Sequence, residues 1–302
     1  MSKISIVTPT YNSSKFISRT ITSVLNQSYT DWEFLIIDDN STDNTTELIK
    51  KFASQDSRIK LLKTASNSGG PASPKNIGIK NSLGEYIAFL DHDDEWAKDK
   101  LSKQIEFFES EKDDKLGVVF NFVNIVNNDG KILSKYTKSY KGDVIKNLTN
   151  GNFIITSSCV MVKASIFKKV SFFDSNFKIF DDWDMWLRIS REGFEFKFIP
   201  EYLTNYIVHG DNACRGNNSK NRQEFIALYE KHKDIFLFYN LKEVGLYYYY
   251  KKDYKLSRKY YIRHIFTRGV DINQKIISFV YIILSFFPFL EDFFKKIFLK
   301  IS

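Results

Sequence analysis

The chain has 302 residues, 43% of them hydrophobic, and a formal net charge of +8. Eleven Lys or Arg against four Asp or Glu fall in residues 251–302, which leaves 33 against 32 in the first 250. A near-neutral body with a basic tail excludes a uniformly basic nucleic-acid binder, and two cysteines without metal-type spacing, Cys159 and Cys214, exclude a disulfide scaffold and point to a reducing compartment.

The apolar run in "MSKISIVTPTYN" is too short for a signal peptide. "ISIVT" (Ile4–Thr8) reads as a strand, followed by an amphipathic run from Phe16 to Gln27. "WEFLIID" (Trp32–Asp38) is a second strand, and Ser and Thr cap candidates in "NSTDNTTELIKKF" introduce a helix. "RIKLLK" is a third strand. In "SPKNIGIKNSLG", Ser73 is a candidate N-cap, Pro74 a first helical residue and Gly84 a stop. "EYIAFL" is a fourth strand, and a helix from about Lys98 to Glu111 follows it.

Such alternation predicts βαβ units and a mostly parallel sheet. After Gly117 the pattern changes. "VVFNFVNIVNNDGKIL" predicts two strands about an Asp-Gly turn. "SSCVMV" is a strand that buries Cys159, and a short helix runs to about Val170. "DDWDMWLRISREGF" is helical with Gly193 as its stop, "FKFI" and "YLTNYIVH" are the last strands, and from Asn221 the chain reads as helical. These features place a body at residues 1–235 and a helical, basic and aromatic extension at 236–302.

Ligands of open α/β sheets sit beyond the carboxyl ends of the strands. Three polar clusters fall there: "TPTYN", "DDNSTDN" and "DHDDEW". Asp91, Asp93 and Asp94 follow a buried strand, where clustered carboxylates repel unless a hard divalent cation or solvent relieves them. In isolation such a triplet reads as an Asp-rich turn capping the next helix, but the preceding buried strand and the two matching strand ends favour the cation. Asp38 and Asp39 end the second strand, where a carboxylate can accept a nucleobase N–H. Ser41 to Asp43 suit an Asx turn. Tyr11 stands where its ring could stack on a base. Asp181 and Asp182 open a helix, whose N-terminus favours an ionised carboxylate, and they could serve only as caps.

"ISIVTPTYN", "EFLIIDDNSTDNT", "NSGGPASPKNIGI", "GEYIAFLDHDDEW" and "FDDWDMWLRISREG" occur in the order found in glycosyltransferase family 2, and over about residues 3–210 the chain resembles that family. The resemblance implies a GT-A fold: Rossmann-like α/β, a mostly parallel sheet with helices on both faces, here with a C-terminal helical extension. It implies a nucleotide-diphosphate sugar donor (UDP by family habit), Mn²⁺ or Mg²⁺, and inversion at the anomeric carbon. By motif position, Pro9, Tyr11 and Asp39 would contact the nucleobase. Asp91 would meet the ribose or the metal shell, and Asp93 would bind the metal. Lys75 stands where Arg is common and would neutralise a phosphate as a point charge. Asp182 matches the catalytic base, with Asp181 in place of a Glu as its support. His209 would lie near the metal and diphosphate, and Arg215 would reach the diphosphate. His92, His232 and His264 are given no role.

The tail run "IISFVYIILSFFPFL" (Ile276–Leu290) has no charge but is short of the ~20 residues of a spanning helix and holds Pro288. It suits a helix lying in a membrane interface, with Lys and Arg meeting anionic lipid; the alternative is packing on the body or on a second subunit. A peripheral protein on the cytoplasmic face of the inner membrane would suit a lipid-linked saccharide acceptor in O-antigen or capsule synthesis, which is again what the resemblance implies. Two other classes compete. A nucleotidyltransferase would need a Gly-rich loop after the first strand, which "TPTYNSSKF" lacks. A non-catalytic saccharide-binding protein would not need Asp93 and Asp182.

Overall fold

The computed structural model describes residues 3–111, 113–210, 218–267 and 270–287. Its elements alternate as the apolar runs require: β1 (Ile4–Thr10), α1 (Ile17–Leu25), β2 (Trp32–Asp38), α2 (Thr45–Ala53), β3 (Ile59–Lys63), α3 (Ala72–Asn81) and β4 (Tyr86–Phe89). A two-residue strand, β5 (Glu95–Trp96), precedes α4 (Lys100–Ser110). Then come β6 (Leu116–Val126), β7 (Ile132–Tyr136), α5 (Val144–Thr149), β8 (Val160–Lys163), α6 (Phe167–Val170), α7 (Asp181–Arg191) and β9 (Glu195–Ile207). Helices α8 (Asn218–Lys231), α9 (Lys233–Tyr239), α10 (Leu241–Tyr250), α11 (Tyr254–Ile265) and α12 (Ile272–Phe286) follow.

One nine-stranded sheet runs in the order β3-β2-β1-β4-β8-β6-β9-β5, with β7 on β6. The first four strands are parallel, as the alternation requires. The second half is mixed: β8 is antiparallel to β4 and β6, β9 is parallel to β6, and β5 is antiparallel to β9. The expected pair of last strands is one strand, β9, whose register against β6 shifts near Asn121 to Val123.

Alternation along β1 and β2 sends side chains to both faces. Ile4, Ile6, Phe34 and Ile36 pack with Ile17, Ile21 and Val24 of α1 and Leu101, Ile105 and Phe108 of α4. Each such buried side chain contributes about 1.5–3 kcal/mol. Val7 and Ile37 face α3, close enough that a Cβ on Gly78 would lie 2.5 Å from Val7 Cγ1. Helices therefore cover both faces.

Two local expectations are corrected. Ser73 does not cap α3: the helix begins at Ala72 after Pro71, whose φ of −75° already suits a helix, and Pro74 falls inside the first turn, where its missing N–H costs nothing. Gly84 is not a helix stop but a close approach to β1, where a Cβ would lie 2.5 Å from the Ser5 nitrogen.

Contacts divide the chain into two compact units: residues 1–148 with 152–216, and 149–151 with 217–302. The division falls before α8, whereas residue 235, expected as the end of the body, lies within α9. In the second unit Asn240 caps α10, Asp253 caps α11 and Asp271 caps α12, each accepting backbone N–H groups. Tyrosines join the helices: Tyr229 stacks on Tyr247 with centroids 3.8 Å apart, Tyr248 on Tyr260 at 5.4 Å and Tyr261 on Tyr281 at 5.2 Å. His264, unassigned from sequence, pairs with Ser278 Oγ at 2.8 Å. Among the described residues no helix is long and apolar enough to cross a membrane.

Candidate active site

The three polar strand ends meet at the carboxyl edge of the parallel half-sheet. Topology brings two further segments to them. Because β8 runs antiparallel to β4, the turn entering β8 (Ser157–Cys159) lies beside the exit of β4. Because β9 runs antiparallel to β5, the exit of β9 returns to the loop before β5.

The first segment holds Asp91. Its N–H donates to Ser158 Oγ at 2.9 Å. Thr156 Oγ1 lies 3.1 Å from its Oδ2, and the Ser157 hydroxyl lies 3.2 Å from its Oδ1. The second segment supplies His209, whose Nε2 is 2.8 Å from Asp93 Oδ2 and whose ring stacks on Phe16 with centroids 4.4 Å apart. Asp94 is fully buried and accepts the Ile207 N–H at 3.1 Å. Burial, then repulsion from Asp93 and Asp91, pushes its carboxyl well above the usual range. Thr156 Oγ1 is also 3.1 Å from Asp94 Oδ2. Thr156 has one hydroxyl proton, so its hydroxyl is shared between the carboxylates of Asp91 and Asp94.

At β2, Asp38 is structural. Burial pushes its pKa up, but hydrogen bonds from Ser41 and Thr46 outweigh this and hold it below the ordinary value. Asp39 accepts both the N–H and the hydroxyl of Ser68, at 3.0 Å and 2.9 Å, so its carboxylate is set by the "NSGG" loop before α3. Lys178 spans that loop and donates to Ser68 O at 2.8 Å. Tyr11 is 43% exposed, open to a stacking partner, whereas Pro9 is buried and its carbonyl lies 3.3 Å from His92 Nδ1. Sequence reading gave His92 no partner. Arg215 lies outside the described residues.

Lys75 and Asp181 are each 3% exposed and form an ion pair at 3.1 Å. Burial opposes the charge on Lys75, but Asp181, Asp91 and Asp182 together raise its pKa to about 12. The buried ammonium thus contacts Asp181 and lies within the field of Asp91 and Asp182. Asp182 does not keep the low pKa expected at a helix N-terminus. Burial and then repulsion from Asp181 outweigh the dipole and push it up to about 7. Asn152 Nδ2 lies 3.3 Å from its Oδ2, and the Trp183 N–H is 2.6 Å from its Oδ1. The Asn152 amide is itself fixed, because its Oδ1 accepts the Ile154 N–H at 3.1 Å. Thr156, Ser157 and Asn152 were all missed from sequence; as lone polar residues in a loop they carry no periodic signal.

A half-parallel sheet bearing Asp-x-Asp after β4 and a second pair of carboxylates opening α7 is the architecture of a GT-A glycosyltransferase. The comparisons agree, and the chain belongs to glycosyl transferase family 2, whose sequence profile matches residues 5–171. WfaP of Escherichia coli, named a UDP-Glc:alpha-D-GlcNAc-diphosphoundecaprenol beta-1,3-glucosyltransferase, is 32% identical over 247 residues, 79% of this chain and 92% of that one. S. aureus TarS 1–349, solved in complex with UDP-GlcNAc, superposes with a TM-score of 0.64 at 20% identity, over 94% of this chain and 81% of that one. The mannosyltransferase PcManGT of Pyrobaculum calidifontis, solved with GDP-Man and Mn²⁺, does so with a TM-score of 0.61 at 15% identity, over 96% and 87%.

Proposed function

We propose that the protein is an inverting hexosyltransferase. It moves a hexose or N-acetylhexosamine from a UDP-linked donor to a polyprenyl-diphosphate-linked saccharide, in surface-polysaccharide synthesis of the O-antigen or capsule type, at the cytoplasmic face of the inner membrane. The observation that carries the reading is the buried Lys75, which binds Asp181 and feels Asp91 and Asp182. It supports a reading in which a donor-side and an acceptor-side carboxylate serve one site. The donor and acceptor classes are supported by the activity in the name of WfaP.

Asp93, His209 and Asp91 suit a hard divalent cation, Mn²⁺ or Mg²⁺. Such ions take one or two protein carboxylates and complete their shell with substrate phosphates and water. Among the described residues no three of His, Cys, Asp or Glu converge as a ligand set, so of these only the paired Asp93 and His209 would bind the ion together, with Asp91 serving its outer shell. When bound, the cation offsets charge on the departing diphosphate. Thr156 and Ser157 orient the Asp91 carboxylate by hydrogen bonds. Asp182 accepts the proton of the acceptor hydroxyl. That oxygen forms its bond to the sugar C1 as the bond from C1 to the diphosphate breaks on the opposite face, so an α-linked donor yields a β-linkage. Tyr11, Pro9 and Asp39 serve the nucleobase of the donor, and Lys75, with Arg215, serves the diphosphate.

The test is turnover of a panel of UDP-, GDP- and dTDP-sugars with Mn²⁺ and a short-chain GlcNAc-diphospholipid, with the product anomer read by NMR. A β-linked product from a UDP-hexose is expected. Release of pyrophosphate, or retention of the anomer, overturns the reading.

A further inference from the structure

α12 buries its serines and leaves large apolar residues exposed along one side, although Leu284 is buried. Ser278 and Ser285 are buried, whereas Ile272, Ile276, Phe279 and Phe286 are 69%, 46%, 57% and 61% exposed. The orientation is pinned from the inside. Ser278 Oγ pairs with His264, Arg258 donates to Ser285 O at 3.2 Å, and Tyr281 stacks on Tyr261. Positions 272, 276, 279 and 286 recur at spacings of four, three and seven, so they form one stripe along the helix. Beside it α11 exposes Ile262 and Phe266. An apolar surface of this kind marks a contact with something other than water.

Charge identifies the contact. Residues 254–287 carry six Lys or Arg and a single acid, Asp271, whose carboxylate caps α12. Lys255, Lys259 and Arg263 stand four residues apart on the exposed side of α11. In a two-fold dimer the patch meets its own copy, so the cations of both copies would share one interface whose single acid per copy, Asp271, is already engaged in capping α12. A layer of anionic headgroups over acyl chains complements both the stripe and the cations. The 15 residues of α12 rise about 22 Å, short of the ~30 Å hydrocarbon core.

We propose that the exposed faces of α11 and α12 form a docking surface for an anionic bilayer. The helices lie in the plane of the interface, with Ile276, Phe279 and Phe286 at the headgroup–acyl boundary and Lys255, Lys259 and Arg263 on lipid phosphates. This deepens the membrane setting proposed above and rests on it only for its purpose, since binding requires neither donor nor acceptor.

The test is sedimentation of the full chain with vesicles of phosphatidylglycerol or of phosphatidylcholine alone, beside light scattering for oligomeric state. Binding to the first and not the second is expected, weakening as salt rises. Lys255→Glu with Lys259→Glu should cut binding by at least roughly tenfold. Ile276→Ser with Phe279→Ser should do likewise. Both pairs are exposed, so far-UV circular dichroism and UDP-sugar hydrolysis should stay as in the parent. A chain ending at Phe287 should still bind. The proposal is overturned if the full chain ignores phosphatidylglycerol, or if both double variants bind as the parent does. It is also overturned if binding resides in residues 288–302 alone, or if the apolar pair only converts a dimer to a monomer. A protein that binds vesicles but transfers no sugar would refute the proposed reaction and leave this surface standing.

Discussion

His209 Nε2 meets Asp93 Oδ2 at 2.8 Å across 116 residues of chain, with Phe16 stacked on the imidazole. Three segments converge there: the exit of β9, the loop after β4 and the residue before α1. The pairing exists because β5 ties β9 back to the aspartate loop.

If Asp93 and His209 share a divalent ion with the donor diphosphate, removing either should weaken the same step. Asp93→Ala should reduce kcat by roughly 10²- to 10³-fold, the usual loss when a group that stabilises developing charge is removed. His209→Ala should fall in the same direction by less, with its Mn²⁺ activation curve shifted to higher concentration. EDTA should abolish turnover of the parent and Mn²⁺ should restore it. Full activity of Asp93→Ala in EDTA would remove the metal from the mechanism.

The Lys75–Asp181 pair is buried on both sides, so its loss should be read in stability as well as in rate. Lys75→Met leaves the Asp181 carboxylate without its counter-ion, a defect that typically costs about 3–5 kcal/mol. The double variant Lys75→Met with Asp181→Leu removes both charges and should recover much of that loss, while remaining inactive. Urea unfolding of the three proteins checks the sign. A single variant as stable as the parent would mean that solvent reaches Asp181.

Gly78 and Gly84 separate soft from hard crowding. A Cβ at Gly78 meets the Val7 and Ile37 side chains at 2.5 Å and 2.8 Å, which can repack. At Gly84 it meets the Ser5 nitrogen at 2.5 Å and the Ile4 carbonyl carbon at 2.8 Å, which cannot shift without breaking the β1–β4 pairing. Gly78→Ala should cost about 1–3 kcal/mol, and Gly84→Ala should cost more. Thermal unfolding of the two variants side by side tests the order.

The parallel half of the sheet was legible because each strand is an apolar run closed by polar residues, and the period changes cleanly between strand and helix. Asp91, Asp93, Asp181 and Asp182 stood out as candidates because the family's motifs carry them. β5 was not, since two residues hold no period and their pairing is set by β9, over 100 residues away. The support given by Thr156 and Asn152 was equally hidden, because which strand enters beside Asp91 is a matter of sheet order rather than local sequence. The charge state of Asp182 was misread for a related reason. The helix dipole is local and visible in sequence, but burial and the Asp181 charge, which dominate, depend on tertiary packing.

The base follows from that last difference. With its pKa pushed up to about 7, Asp182 is largely protonated at pH 6 and largely ionised at pH 8, so kcat/KM should rise through pH 7 and level off above it. Asp182→Asn should lower kcat by 10²- to 10⁴-fold, about 3–5 kcal/mol of barrier at 1.36 kcal/mol per decade, and leave donor binding little changed. The linkage runs the other way for folding. A carboxyl whose pKa is raised on folding binds its proton more tightly in the native state, so its favourable contribution is present at acid pH and fades as pH rises from about 4 to 7. Asp182→Asn should therefore unfold at a higher temperature than the parent at pH 8 and show little gain at pH 4. Asn152→Ala removes a donor to the ionised carboxylate and should move the pH–rate profile upward, with a roughly tenfold loss of kcat at pH 7. Asp181→Asn removes the charge that helps raise Asp182 and frees Lys75 to face it, so it should keep a base-dependent profile but move it to lower pH. An inactive Asp181→Asn beside a fully active Asp182→Asn would transfer the role of base to Asp181.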